Sequence, residues 1–368
     1  MTPKFKDLQI QGFRGFQDIE LSNLGQVNLI VGTNNSGKTS LLEAISIFCN
    51  PLNPFRWLEV SKRRFFFNSI SSLRPNIESI KWIFYKQEKR ENLETENHFG
   101  AMTIQADGDM PIKKLEVEIL ELYGSAAVHS NEDTESYREG LELEIKVQER
   151  YPLFNINTDE LEFYNSEKFQ FWEDERFVYR KRRDALINNV TISPSYSYSE
   201  TVRFTESIIK NENSKNEILN LIRLFDPCIK DIMILSPKKS SSILYLDHEK
   251  LGRIPLDVFG DGIKRTLAIA LALQAATNGV LLIDEIETSI HVLALAPIFS
   301  WLVEACLIKN VQLFVTTHSL EAVDAILESQ IDRDSIVAFQ LNNLDESVKR
   351  FSGDLLSRLR LKRGLDIR

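Results

Sequence analysis

Residues Gly32-Thr33-Asn34-Asn35-Ser36-Gly37-Lys38-Thr39 follow the apolar run Val27-Asn28-Leu29-Ile30-Val31 and precede a helix-forming segment from Thr39 to Cys49, with Pro51 as its stop. A strand, a glycine-bounded turn and a helix in that order restrict the chain to α/β architectures. The glycines let successive backbone N–H groups point at one anion, and the helix adds its positive end. Lys38 is placed to reach the β- and γ-phosphates of a nucleoside triphosphate and the Thr39 hydroxyl to ligate Mg²⁺, with Gly32, Asn34, Asn35, Ser36, Gly37 and Ser40 around the phosphates. A glycine-rich turn without a ligand is the alternative, and the flanking strand and helix speak against it.

The run Val280-Leu281-Leu282-Ile283-Asp284-Glu285 has four consecutive apolar residues ending in two carboxylates, the pattern of a central parallel strand buried on both faces. Ligands of open α/β sheets sit beyond the carboxyl ends of the strands, which puts this acidic tip beside the Gly32–Thr39 turn. Asp284 then helps hold Mg²⁺, and Glu285 is the general base that polarises the attacking water. Simple capping of the next element is the plainer alternative for both carboxylates. A second buried strand, Val311 to Val315, ends in Thr316-Thr317-His318-Ser319. His318 at that tip can hydrogen-bond a γ-phosphate and report its presence. His291 is placed to orient the loop after the acidic strand. Gly260-Asp261-Gly262 opens an alanine- and leucine-rich helix, Thr266 to Ala276, and so makes a second anion-binding helix end. Two such ends point to a triphosphate gripped from two directions by two protomers.

The 368 residues, 43% of them hydrophobic, suffice for one large core or two smaller ones, here an ATPase domain plus an elaboration. The longest apolar tract, Thr266 to Ile283, is broken by Gln274, Thr277, Asn278 and Gly279, and reads as helix, turn and strand rather than a membrane span. No secretory signal is visible. Cys49, Cys228 and Cys306 are isolated packing residues, in keeping with a reduced cytoplasm. A net charge of −9 argues against a uniformly basic nucleic-acid-coating protein. The basic clusters at 62–64, 180–183 and 358–363 read as solvated faces rather than DNA contacts.

The order of phosphate loop, glycine signature, acidic strand and strand-end histidine resembles the ABC-type ATPases, in the branch that includes the SMC, RecF and OLD proteins. Leu8-Gln9-Ile10-Gln11-Gly12-Phe13-Arg14-Gly15-Phe16 is similar to that branch's opening strand, which implies that Arg14 lies close to the nucleotide. The signature, Ile283 to His291 and Val311 to Ser319 resemble the stand-alone bacterial AAA-family ATP-binding proteins, some of which act in phage-defence systems such as Septu and PARIS. The resemblance implies an ABC-type P-loop ATPase head with a mixed or parallel central sheet, an antiparallel β lobe, an inserted middle region and ATP with Mg²⁺ as ligands. It also implies a head-to-tail dimer in which each phosphate loop faces the other copy's Gly260-Asp261-Gly262, closed by ATP, reopened by hydrolysis and controlling an effector such as a nuclease encoded nearby. The signature departs from the Ser-Gly-Gly of transporter ATPases, and Gln87 and Gln170 are the candidates for the family's glutamine-bearing loop.

Four segments follow: 1–50, the first part of the ATPase head; 51–194, completion of the β lobe and an inserted arm or lid; 195–345, the second part of the head; and 346–368, a basic tail. In the middle, Ile80 to Tyr85, Leu115 to Leu122 and Leu141 to Val147 alternate as half-exposed antiparallel strands. Aromatics from Phe65-Phe66-Phe67 to Phe154, Phe163, Tyr164, Phe169, Phe171, Trp172, Phe177 and Tyr179 are core packing first and a base-stacking or partner patch second. Thr201 to Leu224 reads as an amphipathic helix. No heptad run long enough for a long coiled coil is present, and Asp107-Gly108-Asp109, His98 and His129 form no nuclease constellation. The alternative function is an ATP-dependent DNA clamp in repair or chromosome structure; nothing indicates a membrane partner.

Overall fold

A computed structural model describes residues 3–62, 75–86, 98–126, 136–151, 161–173, 175, 177, 184–195, 205, 211–235, 243–329, 331–342 and 347–368. Residues 63–67, Gln87, His129, 131–135, Phe154 and 179–183 lie outside that set, as does the side chain of Phe163.

Burial alternates along β1 (Asp7–Phe13) and β2 (Phe16–Leu21), which pair as an antiparallel hairpin with one wet face. From β1 the sheet continues through β4 (His98–Asp107), β5 (Ile112–Ala126), β6 (Ser136–Tyr151) and β7 (Leu161–Trp172), every neighbour antiparallel. Val117, Ile119, Leu143, Ile145, Phe169 and Phe171 fill its inner face, whereas Glu118, Lys146 and Lys168 face solvent. The stretches at 115–122 and 141–147 are therefore antiparallel strands, as expected. The stretch at 80–85 is not a strand. Ile77, Ile80 and Ile83 are all buried at three-residue spacing, and Asn76 accepts from the Ser79 N–H. A capped helical turn, α3 (Ile77–Lys81), results, leaving only a single bridge between Phe84 and Phe13.

The second sheet is mixed, in the order β15-β14-β3-β13-β12-β8. Strands β3 (Val27–Val31), β8 (Asn189–Ile192), β12 (Val280–Ile283), β13 (Gln312–Thr316) and β14 (Ile336–Leu341) are parallel, and β15 (Val348–Ser352) closes one edge antiparallel. Strands β3, β12 and β13 are buried at every position because both faces are covered. Leu29, Leu281 and Leu313 face one core, shared with α5 (Asp261–Ala275), α6 (Val292–Ile308) and α7 (Leu320–Leu327). Ile30, Leu282 and Phe314 face the other, where α1 (Lys38–Cys49) and α2 (Pro54–Lys62) lie between the two sheets. Helix α4 (Glu212–Ile222) covers part of the expected helix at 201–224, of which 201–204 and 206–210 are outside the described residues. It packs with a small antiparallel sheet of β9 (Ile229–Leu235), β10 (Ile243–His248) and β11 (Gly252–Pro255).

A buried amide ties the N-terminal hairpin to the mixed sheet. Gln312 accepts from the Phe5 N–H at 2.7 Å and donates to the carbonyls of Phe5 and Gly25, both at 2.8 Å. All of its hydrogen-bonding capacity but one lone pair is thereby used, as a fully buried amide requires.

The basic C-terminal segment folds back onto the core. Beyond β15, helix α8 (Gly353–Ser357) buries Leu356, and Arg360 forks onto Asp324 of α7 at 2.9 and 2.7 Å. Ile367 is buried as well, so apolar anchors and one paired arginine fold this segment back onto the core. No described helix is long and apolar enough to cross a membrane, and the longest, α6, has 17 residues, far short of a coiled-coil arm.

Candidate functional site

The turn between β3 and α1 uses backbone that few residues adopt: Gly32 has φ 145°, Asn35 63° and Gly37 89°. A Cβ at Gly37 would lie 2.5 Å from the Phe16 ring, and one at Gly32 would lie 2.6 Å from the Leu341 carbonyl oxygen. Contact and conformation thus both demand glycine at these positions. Gly37 caps α1 without a side-chain hydrogen bond, and no acidic residue stands in the first turn, so the helix presents its positive end to an outside anion. The Lys38 ammonium donates to the carbonyls of Gly32 and Thr33, both at 2.8 Å, and spans the loop. Burial lowers the Lys38 pKa, and the charges of Asp284, Glu285 and Glu287 pull it back up.

Those carboxylates arrive from β12, two strands away in the sheet. Asp284 is buried, and its two oxygens accept from the Thr39 hydroxyl at 2.9 Å and the Thr316 hydroxyl at 2.5 Å. The chain then reverses at Glu285, whose φ is 47°; its N–H donates to Thr316 Oγ1 at 2.8 Å and its carboxylate accepts from Thr288 at 3.1 Å. Glu287 accepts from the His318 N–H at 2.8 Å, and its other oxygen is buried without a partner. Ser36 Oγ is also buried without a partner. Buried polar atoms are nearly always hydrogen-bonded, so these two oxygens beside the loop are positions that a water or a polar ligand can satisfy. A hydroxyl and a carboxylate in contact at Thr39 and Asp284 are hard oxygen donors of the kind Mg²⁺ takes. The residues therefore fit a hydrated Mg²⁺-phosphate group.

His318 stands half-buried at the end of β13, and Thr317 before it donates to the Ile30 carbonyl at 3.3 Å, which keeps the histidine at the same sheet edge as the loop. A cavity of about 90 Å³ opens beside the loop, lined by Gly15, Phe16, Asn35, Ser36 and Asn342 among others.

Arg14 precedes the cavity-lining Gly15, and its side chain turns inward. Its guanidinium is buried against Glu43 of α1 at 2.6 Å and donates to the Val60 carbonyl at 3.0 Å. Glu43 is fully buried one turn past Thr39 and requires a counter-charge there, which Arg14 supplies. Gly260 and Asp261 are exposed, and Asp261 pairs with Lys264 of its own helix at 2.6 Å. The signature turn is tied to the acidic tip through Arg265, which donates to the carbonyls of Asp284 at 2.8 Å and Glu285 at 3.1 Å. His291 caps α6, accepting from the Leu293 N–H at 3.3 Å. Gln170 lies on β7 and donates to Glu142, so it belongs to a strand and not to a loop. Asp107-Gly108-Asp109 makes the β4–β5 turn, with Asp109 paired to Lys4.

Sequence reasoning passed over Arg265, Thr316 and the separate role of Glu287. A cation at the head of an otherwise apolar helix was the available signal for Arg265. It also did not pair Cys228 with Asp226 and His248, whose ligand atoms lie within 4.8 Å of one another. His248 Nδ1 accepts from the N–H groups of Lys250 and Leu251, both at 3.2 Å, which leaves Nε2–H to face Asp226. That tautomer locks a turn and has no lone pair to offer a metal from Nε2.

Residues 27–324 match the family model described as "AAA domain, putative AbiEii toxin, Type IV TA system". The chain belongs to this AAA-domain family. The matched span takes in the loop, the signature turn, the acidic tip and His318 of the AAA domain. A Helicobacter pylori protein named ATP/GTP phosphatase is 22% identical to this AAA-domain chain over 358 residues, 91% of this chain and 90% of that protein. Two solved Smc heads are also similar. One, bound to the C-winged helix domain of ScpA, has a TM-score of 0.47 at 12% identity and covers 95% of this chain and 98% of its own. The other, with an extended coiled coil and bound to a C-terminal ScpA domain derived from Pyrococcus furiosus, has a TM-score of 0.49 at 11% identity and covers 98% and 99%.

Proposed function

We propose that this AAA-domain protein is a Mg²⁺-dependent ATPase switch whose ATP-bound form closes as a head-to-tail dimer. The observation that carries the reading is the 2.9 Å contact between Thr39 and Asp284, which joins the loop and the acidic tip across 245 positions of chain. In this reading Lys38 and the loop N–H groups hold the β- and γ-phosphates, with Thr39 and Asp284 as the residues that would hold Mg²⁺. The metal, when bound, neutralises charge on the phosphate oxygens. Glu285 accepts a proton from the attacking water, and its fixed backbone sets where that water stands. His318 donates to the γ-phosphate, and a second copy's Gly260-Asp261-Gly262 contacts it from the far side. ATP drives closure only through contacts that the open form lacks, and loss of the γ-phosphate removes them.

The protein's output, in the same reading, is control of a cytoplasmic effector in anti-phage defence, for example a nuclease encoded nearby. The DNA-clamp alternative gains little from the exposed face of the antiparallel sheet, where Lys168 pairs with Glu142 and Glu144 and no basic stripe forms among the described residues. Glu285→Gln tests the assignment. The variant should keep ATP affinity, lose turnover by about a hundredfold or more and accumulate dimers in Mg²⁺-ATP on a sizing column. Wild-type turnover in that variant would remove Glu285 as the base.

A further inference from the structure

Arg265 lies one turn inside α5, three residues after Gly262, and is followed by eight buried residues from Thr266 to Leu273. Its guanidinium is almost wholly buried, yet its hydrogen bonds run to backbone carbonyls at the tips of two neighbouring strands. Nη1 donates to Ser193, just past β8, at 2.6 Å, and Nη2 donates to Asp284 and Glu285, just past β12, at 2.8 and 3.1 Å. The planar guanidinium fork is what lets one side chain span two strand tips at once.

Glu285 is the residue that most needs such a tie. Its left-handed backbone, φ 47°, is one that an unbranched L-residue holds only when its surroundings impose it. Thr316 holds its N–H, Arg265 holds its carbonyl and Thr288 holds its carboxylate. At the other end of the lever, Gly262 sits so close to the loop after the acidic tip that a Cβ there would be 3.3 Å from the Ser289 carbonyl oxygen. Gly262 and Arg265 stand three positions apart on one helix whose following residues, Thr266 to Leu273, are buried, so the turn and the Glu285 backbone are joined through a single packed element.

We propose that Arg265 is a positioning residue that ties the Gly260–Gly262 turn to the backbone of Glu285 and thereby holds the water-activating carboxylate in place. The proposal rests on the ATPase reading above.

Arg265→Met, which keeps bulk and removes every donor, and Arg265→Lys, which keeps one charged donor, test it together with the wild type. Three quantities are measured: binding of a fluorescent ATP analogue, turnover at saturating Mg²⁺-ATP, and amide hydrogen exchange of the peptide spanning 284–290. The methionine variant should bind within about twofold of wild type, turn over about tenfold or more slower, and exchange faster at 284–290, with the lysine variant in between. Unchanged exchange at 284–290 would overturn the proposal, as would a methionine variant whose kcat is intact and whose loss appears only as weaker binding. If the methionine variant does not fold, the lysine variant carries the same comparison. A wild type without turnover would remove the ATPase reading, and the exchange result alone would then decide whether Arg265 holds this loop.

Discussion

Thr316 does more than its position beside His318 announced. Its hydroxyl donates to Asp284 and accepts from the N–H of Glu285, so one buried oxygen fixes both acidic residues. Thr316→Val keeps the shape and removes both bonds. The account expects ATP affinity within about threefold of wild type and turnover lower by about tenfold to a hundredfold, measured by steady-state phosphate release. At the same scale, burial pushes the thiols of Cys49 and Cys306 far above the ordinary range, whereas Cys228 is only half-buried. Iodoacetamide at neutral pH should therefore modify Cys228 alone in the folded protein, and peptide mass mapping reads the result. Native-state labelling of Cys49 or Cys306 would contradict the packing described for both cores.

Among elements, the strand, loop and helix at 27–49 and the acidic strand were legible because their signals are local: a short apolar run, glycines at fixed offsets and carboxylates at a strand end. Four apolar residues in a row imply cover on both faces, and β12 has it. The stretch at 80–85 is ambiguous because short apolar runs fit helix and strand alike, and the features that decide it, the Asn76 cap and the spacing of Ile77, Ile80 and Ile83, begin before it. The pairing of Arg14 with Glu43 is likewise a tertiary fact that no motif around Arg14 encodes. At 358–363 the exposed Arg358, Lys362 and Arg363 form the solvated basic face that the sequence suggests, whereas the pairing of Arg360 with Asp324 is not encoded by charge counts. The loop itself makes the sharpest prediction at this scale. Gly37→Ala must hold φ near 89° and push the Phe16 ring aside, which should cost about 2 kcal/mol or more in urea unfolding. A variant as stable as wild type would mean that Phe16 does not pack beneath the loop.

For the whole molecule, the mixed sheet acts as the frame that brings residues far apart in sequence to one edge. Strand β13 lies between β3 and β12, so the loop, His318 and the acidic tip share that edge, and α5 reaches the same edge through Arg265. The antiparallel sheet and the folded C-terminal segment brace it: Arg368 donates to the His318 carbonyl at 2.9 Å, so even the last residues bear on the strand-end histidine. We place one Mg²⁺-nucleotide pocket at this edge. Titration calorimetry of ATP into wild type and Lys38→Ala, each with Mg²⁺ and with EDTA, tests it most directly. Wild type should show one site per chain, weakened by about tenfold or more without Mg²⁺ and lost in Lys38→Ala. Equal ATP binding by wild type and Lys38→Ala would contradict it.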